Sequence, residues 1–329
     1  MGSTETNLTH PKPVTLLTGF LGAGKTTLLN EYLDYRKGVR FAIIENEIGE
    51  QGIDGELVMQ TEDTFVEMNN GCICCTLNDN FNDILKGLNE RREQWDELII
   101  EATGIADPAG IALHFMADPA ISGFFKLERI VCLVDSSIIE DQLEDTQEAL
   151  KQIAFSDILL LNKADQVQAG YLNNLQQMLA EINPMARIMS GYKNHYPLDQ
   201  ISAFIREQPE EELPAHHLHN EHGHHHSDIN ALSFTFTEPF DVNALAQRLN
   251  VLLLLQQKDV YRAKGIIYDP EEKHKVIVQS VGGSLLFSSG VAWKEREAKT
   301  SRMVFIGKKL IPKGYEKVLR QCIRTQVNS

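Results

Sequence analysis

The segment Gly19-Phe20-Leu21-Gly22-Ala23-Gly24-Lys25-Thr26 constrains this chain more than any other. It has the G-x-x-x-x-G-K-[ST] spacing of a phosphate-binding P-loop. An apolar run over residues 14–18 precedes it, and a helix-forming run over residues 27–33 follows. Such a loop operates as the turn between a buried strand and a helix, so it demands an α/β sheet with that strand inside it. The glycines let the backbone curl around an anion and turn several N–H groups inward. The helix beginning near Lys25 points its positive dipole end at the same anion. Lys25 is placed to reach the β- and γ-phosphates, and the Thr26 hydroxyl to join a magnesium shell. Gly19 through Thr27 is therefore the candidate phosphate-contacting set, and a nucleoside triphosphate with Mg2+ the implied ligand.

The rest of the first two-thirds agrees with that demand. Apolar runs at residues 41–45, 98–101, 130–135, 158–162 and 187–189 read as strands buried on both faces. Helical stretches at 25–35, 78–92, 109–117, 146–154 and 171–182 alternate with them. The expected fold is a doubly wound, mainly parallel sheet of the P-loop NTPase kind, with helices on both faces. Ligands of such sheets bind at the carboxyl ends of the strands, where Glu45, Glu101 and Asn162 fall.

From residue 207 the texture changes. Residues 207–214 are acidic and proline-bearing, and residues 216–226 hold seven of the chain's eleven histidines. Neither piece has the apolar content to build a core, so 207–228 reads as a linker between a unit at 1–206 and a smaller α+β unit at 229–329. In the latter, strands are expected at 231–237, 260–268, 275–281 and 302–307, with helices at 242–256 and 315–325. The apolar stretch 249–255 is too short to span a bilayer and reads as part of a core helix.

Asn162-Lys163-Ala164-Asp165 narrows the nucleotide to GTP. A carboxylate at Asp165 accepts both N1–H and the exocyclic amine of guanine. Adenine presents no such pair, and the carboxylate would lose its partners. The bland alternative is a solvated turn after the strand. Between the two motifs lies Glu101-Ala102-Thr103-Gly104. Glu101 is a candidate for holding magnesium or its water, and Gly104 for bringing a backbone N–H to the γ-phosphate. The candidate catalytic residues are thus Lys25, Thr26 and Glu101. Gly104, Asn162, Lys163 and Asp165 join the nucleotide-contacting set.

The second diagnostic cluster is Cys72-Ile73-Cys74-Cys75. Three thiolates at this spacing suit zinc or another borderline-soft cation such as Co2+ or Ni2+. No second cysteine cluster closes a four-sulfur shell, so the site is an open one, with Glu45 and Glu50 as candidate supplementary ligands. A redox pair, Cys72 with Cys75, is the minor alternative. On a linker the histidine run reads as a metal reservoir or delivery arm, or as a solvated tract. Cys132 is expected in the core, and His10, His114, His195 and His274 as structural residues.

Charge excludes other classes. The net charge of −15 argues against a nucleic-acid surface and against docking to anionic lipid. The polar first twelve residues show no secretory signal, which makes the cytoplasm the expected location.

Taken together, Gly19–Thr26, Glu45-Asn46-Glu47-x-Gly49-Glu50, Gly71-Cys72-x-Cys74-Cys75, Glu101-x-x-Gly104 and Asn162-Lys163-x-Asp165 resemble the CobW-type metallochaperone GTPases, relatives of the urease and hydrogenase nickel-insertion GTPases. The zinc-chaperone subgroup is the nearest in pattern. The resemblance extends to Tyr261-Arg262-Ala263-Lys264-Gly265 and to residues 302–307. It departs at Asn80 and Asn82, where acidic residues would be expected. The resemblance implies GTP hydrolysis, metal binding at the C-x-C-C cysteines and delivery to a client metalloprotein. A regulatory or metal-sensing GTPase, and a metal buffer without cargo transfer, are the other readings. The sequence leaves homo-oligomerisation open.

Overall fold

The computed structural model describes residues 10–45, 56–61, 64–69, 79–206, 229–281 and 283–324. In chain order the elements of the first unit are β1 (Lys12–Gly19), α1 (Lys25–Tyr35), β2 (Phe41–Glu45), β3 (Glu56–Thr61), β4 (Thr64–Asn69), α2 (Asp79–Glu90), β5 (Glu97–Glu101), α3 (Pro108–Ala117) and α4 (Pro119–Ser122). They continue with β6 (Phe125–Asp135), α5 (Ile139–Asp145), α6 (Gln147–Phe155), β7 (Ile158–Asn162), α7 (Ala169–Ile182), β8 (Arg187–Ser190) and α8 (Leu198–Ala203). The second unit carries β9 (Ile229–Phe236), α9 (Val242–Leu255), β10 (Val260–Ile267), β11 (His274–Val281), β12 (Ser284–Ala292), β13 (Ser301–Lys308) and α10 (Pro312–Arg320).

The first sheet has eight strands in the order β4-β3-β2-β5-β1-β6-β7-β8. Six of them, β2-β5-β1-β6-β7-β8, run parallel, and the β3–β4 hairpin adds an antiparallel edge. The expected doubly wound α/β sheet is therefore present. The hairpin has no counterpart in the strands expected from sequence. Its segments, ELVMQT and TFVEMN, mix polar and apolar residues and lack the unbroken apolar run of a central strand. β5 and β7 are buried along their whole length, as strands covered on both faces must be. β1 lies between β5 and β6, so the chain crosses to one side of it and then to the other. Its carboxyl end is the topological switch point, where such sheets hold their ligands.

The second sheet is antiparallel, in the order β12-β11-β10-β13-β9. β12 was not expected either: it is an edge strand with few buried positions, so its sequence carries little pattern. One face packs under α9 and α10 through Leu245, Leu249, Leu253, Phe305, Tyr315 and Leu319. The stretch 249–255 is only in part a core segment. Leu249 and Leu253 are buried, but Val251, Leu254 and Leu255 are exposed, because one helix face alone meets the sheet. The other face meets the first unit, where Ala231, Val304 and Ile306 pack on Ala154 of α6. No helix among the described residues is long and apolar enough to cross a membrane.

Candidate functional site

The site is built at the carboxyl edge of the parallel strands. Register brings its residues into line there: Leu17 of β1 pairs with Glu101 of β5, Gly19 with Leu133 of β6, and Asp135 with Asn162 of β7. β1 ends at Gly19 and α1 begins at Lys25, so the intervening turn spans the P-loop residues. Gly24 enters α1 at φ +98°, a conformation that side-chain-bearing residues avoid. A Cβ there would also lie 2.4 Å from the Asn162 amide nitrogen. The first turn of α1 has no side-chain cap and no acidic residue. Its N–H groups and dipole thus face the loop without an internal anion to satisfy them.

Lys25 is 8% exposed and folds back over the loop, where its Nζ donates to the carbonyls of Gly19 at 2.9 Å and Phe20 at 3.4 Å. Burial lowers its pKa, and the nearby Glu101 carboxylate works in the opposite direction. The Thr26 hydroxyl donates to Glu101 Oε1 at 3.0 Å. A hydroxyl and a carboxylate joined at the mouth of a phosphate loop form an oxygen donor set of the kind a hard divalent cation takes, so these residues fit magnesium. Glu101 therefore stands where the sequence places it. Gly104 follows on a tight turn, and a Cβ on it would meet the Leu21 backbone nitrogen at 2.6 Å. Only glycine allows the loop after β5 to lie this close to the P-loop.

Asn162 ties the Asn162–Asp165 segment to the P-loop. Its Nδ2 donates to Ala23 O at 2.7 Å, and its Oδ1 accepts from Lys163 N at 2.8 Å. Lys163 takes a left-handed φ of 57°, turning the chain so that Asp165 sits on a short 3-10 turn, exposed to solvent.

The structure brings in residues that no motif flagged. The Lys163 ammonium contacts Asp135 Oδ2 at 2.5 Å. Burial would raise the Asp135 carboxyl, but hydrogen bonds from Lys163 and Ser137 outweigh it and hold its pKa below the usual value. The Tyr196 hydroxyl donates to Asn162 Oδ1 at 3.0 Å, and Ala164 N donates to Gly191 O at 3.3 Å. The loop after β8 thus buttresses the Asn162–Asp165 segment. Gln152 of α6 donates to the carbonyls of Gly104 and Ala106, both at 3.1 Å. Asp135 ends a strand next to Asn162 and was legible from its position. Tyr196 and Gln152 have no spacing signal.

On the metal side, Glu45 ends β2 in register with Glu101. Cys72, Cys74, Cys75, Glu50 and the histidine run lie outside the described residues. Cys132 is buried, and burial pushes its thiol up to about 12. Cys322 is buried as well and pushed up to about 11. Neither favours the thiolate a metal requires. His114 packs against the Phe81 ring at 5.0 Å and His195 against Tyr192 at 4.6 Å, as structural residues would.

Comparison with known proteins adds to this geometry. Residues 13–190 match the CobW/HypB/UreG nucleotide-binding domain, and residues 229–323 the cobalamin synthesis protein cobW C-terminal domain. The zinc chaperone YjiA of Escherichia coli is 32% identical over 91% of this chain and 94% of its own. The zinc chaperone CobW of Pseudomonas aeruginosa is 31% identical over 91% of this chain and 88% of its own. The crystal structure of the Zn(II)-bound YjiA GTPase from E. coli superposes with a TM-score of 0.71 at 27% identity, covering 96% of this chain and all of that one. With a domain match over more than half of its length and relatives aligned along nine-tenths of it, this chain belongs to the CobW/HypB/UreG family.

Proposed function

We propose that this chain is a GTP-hydrolysing zinc chaperone. The observation that supports this most is the alignment along nine-tenths of the chain with relatives named zinc chaperones, joined to a P-loop site whose Lys25, Thr26 and Glu101 are in contact or near it. In this reading residues 1–206 form the GTPase unit, 207–228 a linker and 229–329 a second unit. Gly19–Thr27 and Lys25 hold the phosphates, and Gly104 brings its N–H to the γ-phosphate. Asn162, Lys163 and Asp165 select guanine, with Asp135 and Tyr196 keeping that motif in place.

Thr26 and Glu101 would hold the magnesium ion, which would supply charge to offset that developing on the phosphates. Lys25 adds a cation at the same oxygens. Buried among carbonyls, it exchanges those partners for phosphate without crossing bulk water, which strengthens the contact.

Zinc is the cargo. Cys72, Cys74 and Cys75 bind it, supplemented by Glu45 and Glu50, and a client metalloprotein receives it. Co2+ and Ni2+ are accepted by the same donor types. Because β2 and β5 are neighbours in register, Glu45 and Glu101 end side by side, linking the metal-bearing segment to the nucleotide. GTP would then raise zinc affinity and hydrolysis lower it, with reciprocal tightening of GTP by zinc.

Zinc titrations of the full chain with a non-hydrolysable GTP analogue, with GDP and with no nucleotide test this. Tighter binding is expected in the first case and is lost in Cys72→Ala/Cys74→Ala/Cys75→Ala. Equal affinities in all three nucleotide states would remove the coupling.

A further inference from the structure

We infer that Gln152 is a positioning residue for GTP hydrolysis, and that Arg262 acts on the same reaction through α6. The inference rests on the reading of residues 101–104 given above. Gln152 is 1% exposed and sits within α6, far in sequence from the Glu101-x-x-Gly104 motif it touches. Its amide has two N–H donors, and they go to Gly104 O and Ala106 O. On its other side Gly104 abuts the Leu21 backbone, closely enough that a Cβ would collide with it. The peptides around Gly104 are therefore wedged between the P-loop and one side chain of α6. The start of this loop is fixed by Ala102 N donating to Leu17 O at 2.8 Å, and Ala106 N closes the turn on Thr103 O at 3.1 Å. Gln152 holds the loop from the side opposite the P-loop.

The end of α6 is held by the second unit. Arg262 of β10 is buried and donates from Nη1 to Phe155 O at 2.5 Å, Ser156 O at 2.9 Å and Ala154 O at 3.4 Å. Its Nη2 donates to Asp157 Oδ1 at 2.9 Å, and its guanidinium stacks over the Phe155 ring at 5.2 Å. Phe155 is less than one helical turn beyond Gln152, and Ser156 Oγ donates to Gln152 O at 2.7 Å. The Arg262 fork and the Gln152 amide therefore bear on the same turn of α6. A displacement of the second sheet moves that turn, and with it the Gly104 peptide that meets the γ-phosphate.

Spatial continuity alone does not establish coupling, so the test is a double-mutant cycle in the full-length protein. The variants are Gln152→Met, which keeps length and removes both donors, Arg262→Lys, which keeps charge and removes the fork, and the pair combined. GTP turnover is measured as kcat and KM, alongside affinity for GDP and for a non-hydrolysable GTP analogue. A misplaced loop lowers kcat by about 10- to 100-fold in Gln152→Met. GDP affinity should stay within about twofold while analogue affinity drops, because the loop contacts only the γ-phosphate. Arg262→Lys should show the same signature at smaller size, and the double variant should be no slower than Gln152→Met alone.

An unchanged kcat with only a lower melting temperature would reduce Gln152 to a structural hydrogen-bonder. Equal losses of GDP and analogue affinity would point to general collapse of the P-loop. Rate losses that multiply in the double variant would overturn the role of Arg262. Should Gln152→Met not fold, Gln152→Asn retracts the same donors by one methylene and reads the same quantities. A wild-type protein that binds no GTP would instead overturn the nucleotide reading itself.

Discussion

Asp165 and Lys163 show how one residue can be readable in function and unreadable in placement. The Asn162-Lys163-x-Asp165 spacing announces a guanine site, yet Lys163 owes its left-handed turn to tertiary partners, the Asp135 carboxylate above all. Asp165 is solvent-facing and free to meet a base edge. Asp165→Asn replaces a double acceptor by one donor and one acceptor. It should weaken GTP by about 100-fold or more, since one hydrogen bond is replaced by two donors facing each other and the other loses its charge assistance. It should strengthen xanthosine triphosphate, whose C2 carbonyl accepts from the new amide. Competition of the two nucleotides against a fluorescent analogue reads this directly, and unchanged GTP affinity would return Asp165 to the role of a solvated turn.

At the scale of elements, α6 carries more than its amphipathic pattern reveals. Its N-terminus is capped by Thr146, as local sequence suggests. Its C-terminus is satisfied from afar: Asn183, fully buried at the end of α7, donates from one amide nitrogen to Ile153 O at 2.7 Å, Ser156 O at 3.0 Å and Ala154 O at 3.2 Å. Asn183→Ala removes a buried donor from all three carbonyls, of which Ala154 O and Ser156 O keep Arg262, and should cost about 2–3 kcal/mol. The denaturant midpoint would show it, and a shift too small to resolve would mean that Arg262 alone suffices for the end of α6. The β3–β4 hairpin and β12 were missed for a common reason. Both lie at sheet edges, where a strand needs no continuous apolar run.

For the whole molecule, the joint between the two sheets centres on a buried charge network. Asp157 accepts from Arg262 and lies 3.5 Å from Arg206, and it also takes Ile130 N at 3.1 Å. Burial would raise the Asp157 carboxyl, but Arg206 and then Arg262 outweigh it and hold its pKa below the usual value. A depressed folded-state pKa stabilises the protein above the unfolded value, near pH 4, and that stability is lost as pH falls through the folded value. Arg262→Gln leaves Asp157 with one cation fewer and should destabilise the protein by about 3–5 kcal/mol at pH 7. The difference from wild type should shrink as pH falls below about 4, where Asp157 takes up its proton first in the variant and in wild type only below its depressed folded-state value. Urea unfolding at both pH values measures it, and a gap that stays constant with pH would remove Asp157 from the account.

The sequence alone determined the strand–loop–helix around Gly19–Thr26, the placing of Asn162–Asp165 and of Glu101-x-x-Gly104 at strand ends, and the parallel core. Each is local, because backbone conformation and short spacing carry it. The tertiary structure decided what surrounds them. Gln152, Tyr196, Asn183 and Arg262 act across separations of 27 to 108 residues, or between sheets, where no local pattern exists. Buried polar groups must find partners wherever the fold supplies them, and only folding specifies which ones are near.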